Sequence, residues 1–337
     1  MLGGDKVKKL IMSLVVVGVV SQTYALTTVD YQAIVNQAYQ KYRIESAGKV
    51  ADYIPALARY SPDYYGIVLI TVDGKIYTAG DVTTKFPLES LAKVFALSLA
   101  LQQVGVDKVL TSVGAEATGY PFNSVSGVEQ QTNRTGNALV NAGAMATVSL
   151  IEAKDAEAKW QLIYNNLNDY ANTKLKLNQE VYKSEAASNQ HNQAIAKLLQ
   201  SYGRFYSNPE EAVDIYTKEC SVDVSTLELA KMGSVIANFG KSPFTHKQLL
   251  SAQLVPNLLA QMATAGLYDS SGTWLNMTGL PAKSGVSGGI VAVMPGRFAL
   301  AVYSPPVDSS GNSVRAQKAI KYIAQQTHAN IFAATMK

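Results

Sequence analysis

The strand signals of this chain lie at its two ends, and that separation constrains the fold more than any other feature. Gly66-Ile-Val-Leu-Ile-Thr-Val72, an Asp73-Gly74 turn and Lys75-Ile-Tyr-Thr-Ala79 spell a β-hairpin, because Asp-Gly accepts the positive φ of a tight primed turn. A second hairpin comes late, from Gly289-Ile-Val-Ala-Val-Met294 through Pro295-Gly296 to Arg297-Phe-Ala-Leu-Ala-Val-Tyr303. From Phe86 to about Gly279 the chain reads as helical, with long low-glycine segments such as 145–169, 193–202 and 225–239. An amphipathic helix over 28–44 precedes the first hairpin, and one over 313–332 follows the second. Both ends then combine into one antiparallel sheet with the terminal helices packed on it. The expected fold is α+β: a sheet domain from 26–85 and 279–337, and an inserted all-helical domain, 86–278. A cleft is expected where the two meet.

The 337 residues, 47% of them hydrophobic, suffice for a sizeable core. A net charge of +4, scattered along the chain, argues against nucleic acid as a partner. Lys6, Lys8 and Lys9 precede an apolar run, Leu10 to Val20, and then Ser21-Gln-Thr-Tyr-Ala25. This pattern predicts a signal peptide over 1–25, cleaved after Ala25, and export to the periplasm or the exterior. The apolar run is shorter than the roughly 20 residues of a membrane span, so no membrane attachment is expected after cleavage. Cys220 stands alone and forms no internal disulfide. His191, His246 and His328 lack metal-ligand spacing, so no metal is expected. Ser284-Gly-Val-Ser-Gly-Gly289 lacks the lysine that a phosphate loop places after its last glycine, and no cofactor is expected.

The chemistry concentrates in Phe86-Pro-Leu-Glu-Ser90-Leu-Ala-Lys93, which opens an apolar run, Leu91 to Val104. That run reads as a buried helix. Residues three apart share a helix face, so Lys93 reaches the Ser90 hydroxyl. Burial disfavours a charged amine and lowers its pKa, which lets a lysine activate a serine as nucleophile. The first helical turn adds free N–H groups near the reacting oxygen. Taken alone, Ser-x-x-Lys is common by chance and is better read as a helix cap beside a surface lysine. A second motif, Lys283-Ser284-Gly285, stands just before a strand, where an edge-strand N–H can complete an oxyanion hole with that of Ser90. Two such motifs in this order are the arrangement of penicillin-recognising serine enzymes.

Further stretches narrow the reading: Tyr53-Ile-Pro, Ser61-Pro-Asp-Tyr-Tyr-Gly66, Val140-Asn-Ala-Gly-Ala144, Ser184-Glu185 with Asn192, and Gly266-Leu-Tyr-Asp269. Gly279-Leu-Pro-Ala-Lys-Ser-Gly-Val286, Ser304-Pro-Pro-Val-Asp and Gly311-Asn-Ser-Val314 complete the set. In this order they resemble the serine-dependent glutaminases, which share the fold of β-lactamases and D,D-peptidases. The resemblance implies hydrolysis of L-glutamine to L-glutamate and ammonia through a glutamyl-serine intermediate. It implies Ser90 as nucleophile, Lys93 as its proton-transfer partner, and the N–H groups of Ser90 and Val286 as oxyanion donors. Tyr216 and Tyr268 match tyrosines beside the nucleophile, where a phenol relays a proton to departing ammonia. Glu185 would face the substrate ammonium; Asn141, Asn192 and Tyr216 would face its carboxylate; Tyr53 would line the pocket. Family members generally form homo-oligomers, dimers or tetramers.

The chain departs from the family pattern at Glu89, where Gln is common, at His191, where Arg is common, and at Ala138, where Pro is common. A carboxylate at 89 is expected to raise the Lys93 pKa and move the pH optimum upward. Two other readings stand beside the glutaminase one. The first is an exported β-lactamase or D,D-peptidase-like enzyme, with Tyr164-Asn-Asn166 as its third motif. The second is a glutamine-binding sensor without turnover.

Overall fold

The computed structural model describes residues 29–333; the expected signal peptide, 1–25, lies outside the described residues. The first hairpin forms β1 (Gly66–Thr71) and β2 (Ile76–Gly80). Three short strands follow in the middle of the chain: β3 (Lys85–Pro87), β4 (Lys176–Leu177) and β5 (Val222–Ser225). The last three are β6 (Ala282–Ser284), β7 (Gly289–Met294) and β8 (Phe298–Tyr303). Strands from both ends join in one antiparallel sheet of order β2-β1-β8-β7-β6, so β8 pairs with β1 from Gly66 opposite Tyr303 to Thr71 opposite Phe298. The expected α+β architecture is therefore the observed one, with β6, which carries Lys283-Ser284, at the sheet edge.

Helix α1 (Tyr31–Tyr42) precedes the sheet. The helical body contains α2 (Ala92–Val104), α3 (Val106–Ser112), α4 (Val125–Gln130), α5 (Asn141–Leu150) and α6 (Ala156–Ala171). It continues through α7 (Gln179–Ala186), α8 (Gln190–Ser201), α9 (Pro209–Cys220) and α10 (Thr226–Ala237). Three helices remain: α11 (Val255–Ala265), α12 (Ser271–Thr278) and α13 (Val314–Gln326).

Side chains alternate across a strand, so the sheet serves two cores. Ile67, Leu69, Ile290, Leu300 and Val302 face Val35 and Ala38 of α1 and Ile320 and Ile323 of α13. Val68, Ile70, Val291, Val293 and Ala301 face the opposite way, into a core that runs without interruption through α2, α5, α6, α9 and α10. Both faces are covered, which is why β1, β7 and β8 are apolar at nearly every position and buried throughout.

The middle of the chain differs from an all-helical insertion in two respects. It holds the small sheet β3-β5-β4, whose strands of two to four residues are too short to register as a pattern. In addition, α10 packs directly on β1, β7 and β8. Gly233 permits this close approach, since a Cβ there would meet the Val291 methyl at 2.7 Å. The segment 145–169 is also two helices, because Asp155 caps α6 through the Ala158 N–H and starts it afresh.

Candidate active site

Strand β3 delivers the chain to the site. Phe86 stacks on Tyr303 of β8, with ring centroids 3.8 Å apart and planes within 3°, which ties this entry to the sheet. A 3-10 turn, Glu89–Leu91, then leads into α2. Glu89 is held at φ +51°, a left-handed conformation that costs a residue with a Cβ about 1–3 kcal/mol and is found at functional sites. Ser90 therefore occupies the first turn as a presented side chain, and α2 has no side-chain cap. Across from it, Gly285 follows β6; a Cβ there would lie 2.8 Å from the Leu88 carbonyl oxygen, so glycine lets the strand edge approach the serine turn. The next residue, Val286, lines the same cleft as Ser90.

Lys93 is fully buried. Its Nζ lies 3.0 Å from Ser90 Oγ and 2.7 Å from Asn141 Oδ1. Asn141, at the start of α5, also accepts from the Tyr216 hydroxyl at 3.2 Å and donates its Nδ2 to Asn192 Oδ1 at 3.0 Å. Burial lowers the Lys93 pKa to about 8, against an upward pull from Cys220, Glu219, Glu89 and Glu185. A neutral amine at this position accepts the Ser90 proton while still donating to Asn141.

Tyr268 stands at φ +58° with its hydroxyl beside Ser90 and directed at the Ser284 carbonyl oxygen, 3.4 Å away. Burial raises the pKa of both the Tyr216 and Tyr268 phenols, so each remains a neutral hydrogen-bond donor. Lys283 is fully buried, donates to the Ser284 carbonyl at 2.6 Å and sits 4.1 Å from the centre of the Tyr268 ring. Burial, and then nearby Lys93, push its pKa well below the ordinary lysine value.

The cleft beside Ser90 encloses about 220 Å³ and is lined by Glu89, Asn141, Glu185, Asn192, Tyr216 and Val286, among others. Glu89 and Glu185 lie within hydrogen-bonding reach of each other. Burial pushes both carboxyls upward, Glu89 the further because the Glu185 carboxylate faces it. Tyr53 stands at the rim, 61% exposed.

A serine activated by a buried lysine, an amide hub and a strand edge beside the nucleophile suit acyl transfer. Comparison with known proteins assigns the family, since a family model described as Glutaminase matches residues 48–332. The chain belongs to the glutaminase family. A glutaminase from Colwellia psychrerythraea (strain 34H / ATCC BAA-681) is 52% identical over 301 residues, which are 89% of this chain and 97% of that relative. Glutaminase 1 of Shigella flexneri is 46% identical over the same shares. The solved structure of the probable glutaminase ybaS superposes with a TM-score of 0.88 at 45% identity, covering 90% of this chain and 98% of that one. A probable glutaminase from Bacillus subtilis, complexed with 6-diazo-5-oxo-L-norleucine, gives 0.81 at 28% identity over 96% and 99%.

In this glutaminase, Ser90, Lys93, Asn141, Asn192 and Tyr216 form one hydrogen-bonded set, with Tyr268 beside Ser90. Glu185, Val286 and Tyr53 line the adjoining cleft. Tyr164 and Asn166 do structural work instead: the Tyr164 hydroxyl donates to the Leu175 carbonyl, and Asn166 Nδ2 donates to the Phe95 carbonyl at 3.0 Å. They are not a third motif of a lactam site. His191 bonds the Asn123 carbonyl at 2.7 Å on the cleft wall, and Ala138 is buried with its N–H on Gln261 Oε1. The expected rise of the Lys93 pKa through Glu89 is outweighed, because burial dominates and Glu89 itself resists ionisation.

Sequence reasoning missed Glu219, which is fully buried with both carboxyl oxygens unpartnered and a pKa raised by burial to about 8. Its signal was present: Glu219 and Cys220 follow Tyr216 by three and four positions on α9, so they share its inward face.

Proposed function

We propose that this glutaminase hydrolyses the side-chain amide of L-glutamine through an ester on Ser90. The observation that carries the reading is the buried Lys93 amine set between Ser90 Oγ and Asn141 Oδ1 at 3.0 and 2.7 Å. Neutral Lys93 takes the Ser90 proton as Oγ attacks the amide carbon. The N–H groups of Ser90 and Val286 face the oxyanion that develops. The leaving nitrogen takes a proton from the Tyr268 phenol, or from Lys93 through it, and departs as ammonia. Water then attacks the ester, Ser90 recovers its proton and L-glutamate leaves. Glu185 receives the substrate ammonium, and Asn141, Asn192 and Tyr216 bind its carboxylate, while Tyr53 closes the rim.

The test is ammonia release from L-glutamine by the chain beginning at residue 26, beside Ser90→Ala and with a chromogenic cephalosporin as control. Turnover lost in the alanine variant supports the reading. Cephalosporin cleavage without ammonia would move the protein to the lactam-recognising enzymes, and glutamine binding without turnover would make it a sensor. Export by residues 1–25 and assembly into a dimer or tetramer belong to the same proposal. Fractionation of the expressing cells and sedimentation of the mature chain test them.

A further inference from the structure

Glu89 and Glu185 come from different parts of the chain, the serine turn and α7, yet their carboxyls face each other in the cleft that adjoins Ser90. Glu89 is 4% exposed. The Oε1 atoms of both residues are buried, and neither finds a donor elsewhere in the described residues. Two carboxylates in contact repel, so the pair is satisfied only when one proton lies between them. A carboxylic acid at 89 then offers a donor at one atom and an acceptor at the other, as a glutamine amide does.

We propose that Glu89 and Glu185 act as one proton-sharing acceptor for the α-ammonium group of the amino-acid substrate, and that its binding expels the shared proton to solvent. This rests on the glutaminase reading and adds to it a specificity-determining residue, Glu89. The free pair carries one negative charge and one proton. The arriving ammonium supplies N–H donors to both carboxyls and a positive charge between them, which makes the proton redundant. The bound pair carries two negative charges against the one positive charge of the ligand, and one proton has left. The groups that face Glu89 set the conditions: Lys93 from α2, Glu185 from α7, Cys220 from α9, and the phenols of Tyr53, Tyr60 and Tyr268. The phenols of Tyr60 and Tyr268 stay neutral through the working range, because burial raises both of them. At pH 7, below its pKa of about 8, protonated Lys93 is the one cation among these neighbours.

Calorimetry of L-glutamate binding to the mature chain, at pH 7 in buffers of different ionisation enthalpy, counts the protons exchanged. The wild type is expected to release about one proton more per ligand than Glu89→Gln. Equal proton release in the two proteins would overturn the proposal. Infrared difference spectra of the wild type give a second measurement that needs no variant. A negative protonated-carboxyl band is expected in the difference between the L-glutamate-bound and free spectra, where Glu219, protonated in both states, cancels; its absence at saturation would overturn the proposal. Ammonia release from L-glutamine by the same preparation reports separately on the glutaminase reading.

Discussion

The two walls of the cleft solve different problems. On the Ser90 wall, Lys93 and Lys283 are fully buried against apolar helices and the sheet edge, and burial lowers both amines. On the α7–α8 wall, Glu185 and Asn192 are only half-buried and His191 is exposed, as is Tyr53 at the rim. The first wall makes a base by withholding water. In the function proposed, the second recognises a charged ligand by retaining acceptors that the ligand can complete. A given side chain is therefore worth different things on the two walls: a lysine becomes reactive on one, whereas a carboxyl on the other becomes selective.

Substitutions on the reacting wall should break this contrast most severely. Ser90→Ala is expected to lower glutamine turnover by more than about 10⁴-fold while the thermal unfolding curve is unchanged. Lys93→Met, which fills the same buried space, should cost roughly 10²–10⁴-fold, the usual contribution of a positioned base. In the wild type, Lys93 must be neutral to accept the proton, so kcat/KM should rise with pH and level off above about 8. A flat profile from pH 6 to 9 would remove Lys93 from the role of base.

On the recognition wall, Glu185→Gln should act on affinity, raising KM for glutamine by roughly 10–100-fold with a smaller change in kcat, as loss of a charged hydrogen bond does. A dominant fall in kcat would place Glu185 on the reacting side instead. The smallest effect is expected behind both walls. Glu219 has a folded pKa of about 8 against a reference of 4.5, so the folded chain holds a proton that the unfolded chain has lost between these values. Its contribution to stability thus declines as pH rises from 4.5 to 8 and the full cost is present above 8. Glu219→Gln should raise Tm by several degrees at pH 8.5, where about 1 kcal/mol is worth roughly 2–4 °C, and by little at pH 5. Melting curves at the two pH values decide it.

The reacting wall was legible in the sequence because its parts are local. Ser90 and Lys93 are one helical turn apart, and Lys283 precedes a short apolar run, Gly289 to Met294, that the Pro295-Gly296 turn marks as a hairpin strand. Both hairpins were legible for the same reason. The position of α10 was not, because Thr226–Ala237 is apolar enough to suit a helical core or a sheet face, and only Gly233 hints at the closer packing. The acid pair was illegible in kind: no spacing rule links Glu89 to Glu185, since folding alone brings the serine turn against α7. The expectation that Glu89 would raise the Lys93 pKa holds in direction, but burial of the amine outweighs it.

Whether Ser90 carries the glutamyl group is decided by mass spectrometry of the chain quenched during turnover of L-glutamine. A glutamyl adduct is expected on the peptide containing Ser90, present during turnover and absent from Ser90→Ala. Steady ammonia release with no adduct in the wild type, and with turnover retained by Ser90→Ala, would contradict the glutamyl-serine intermediate.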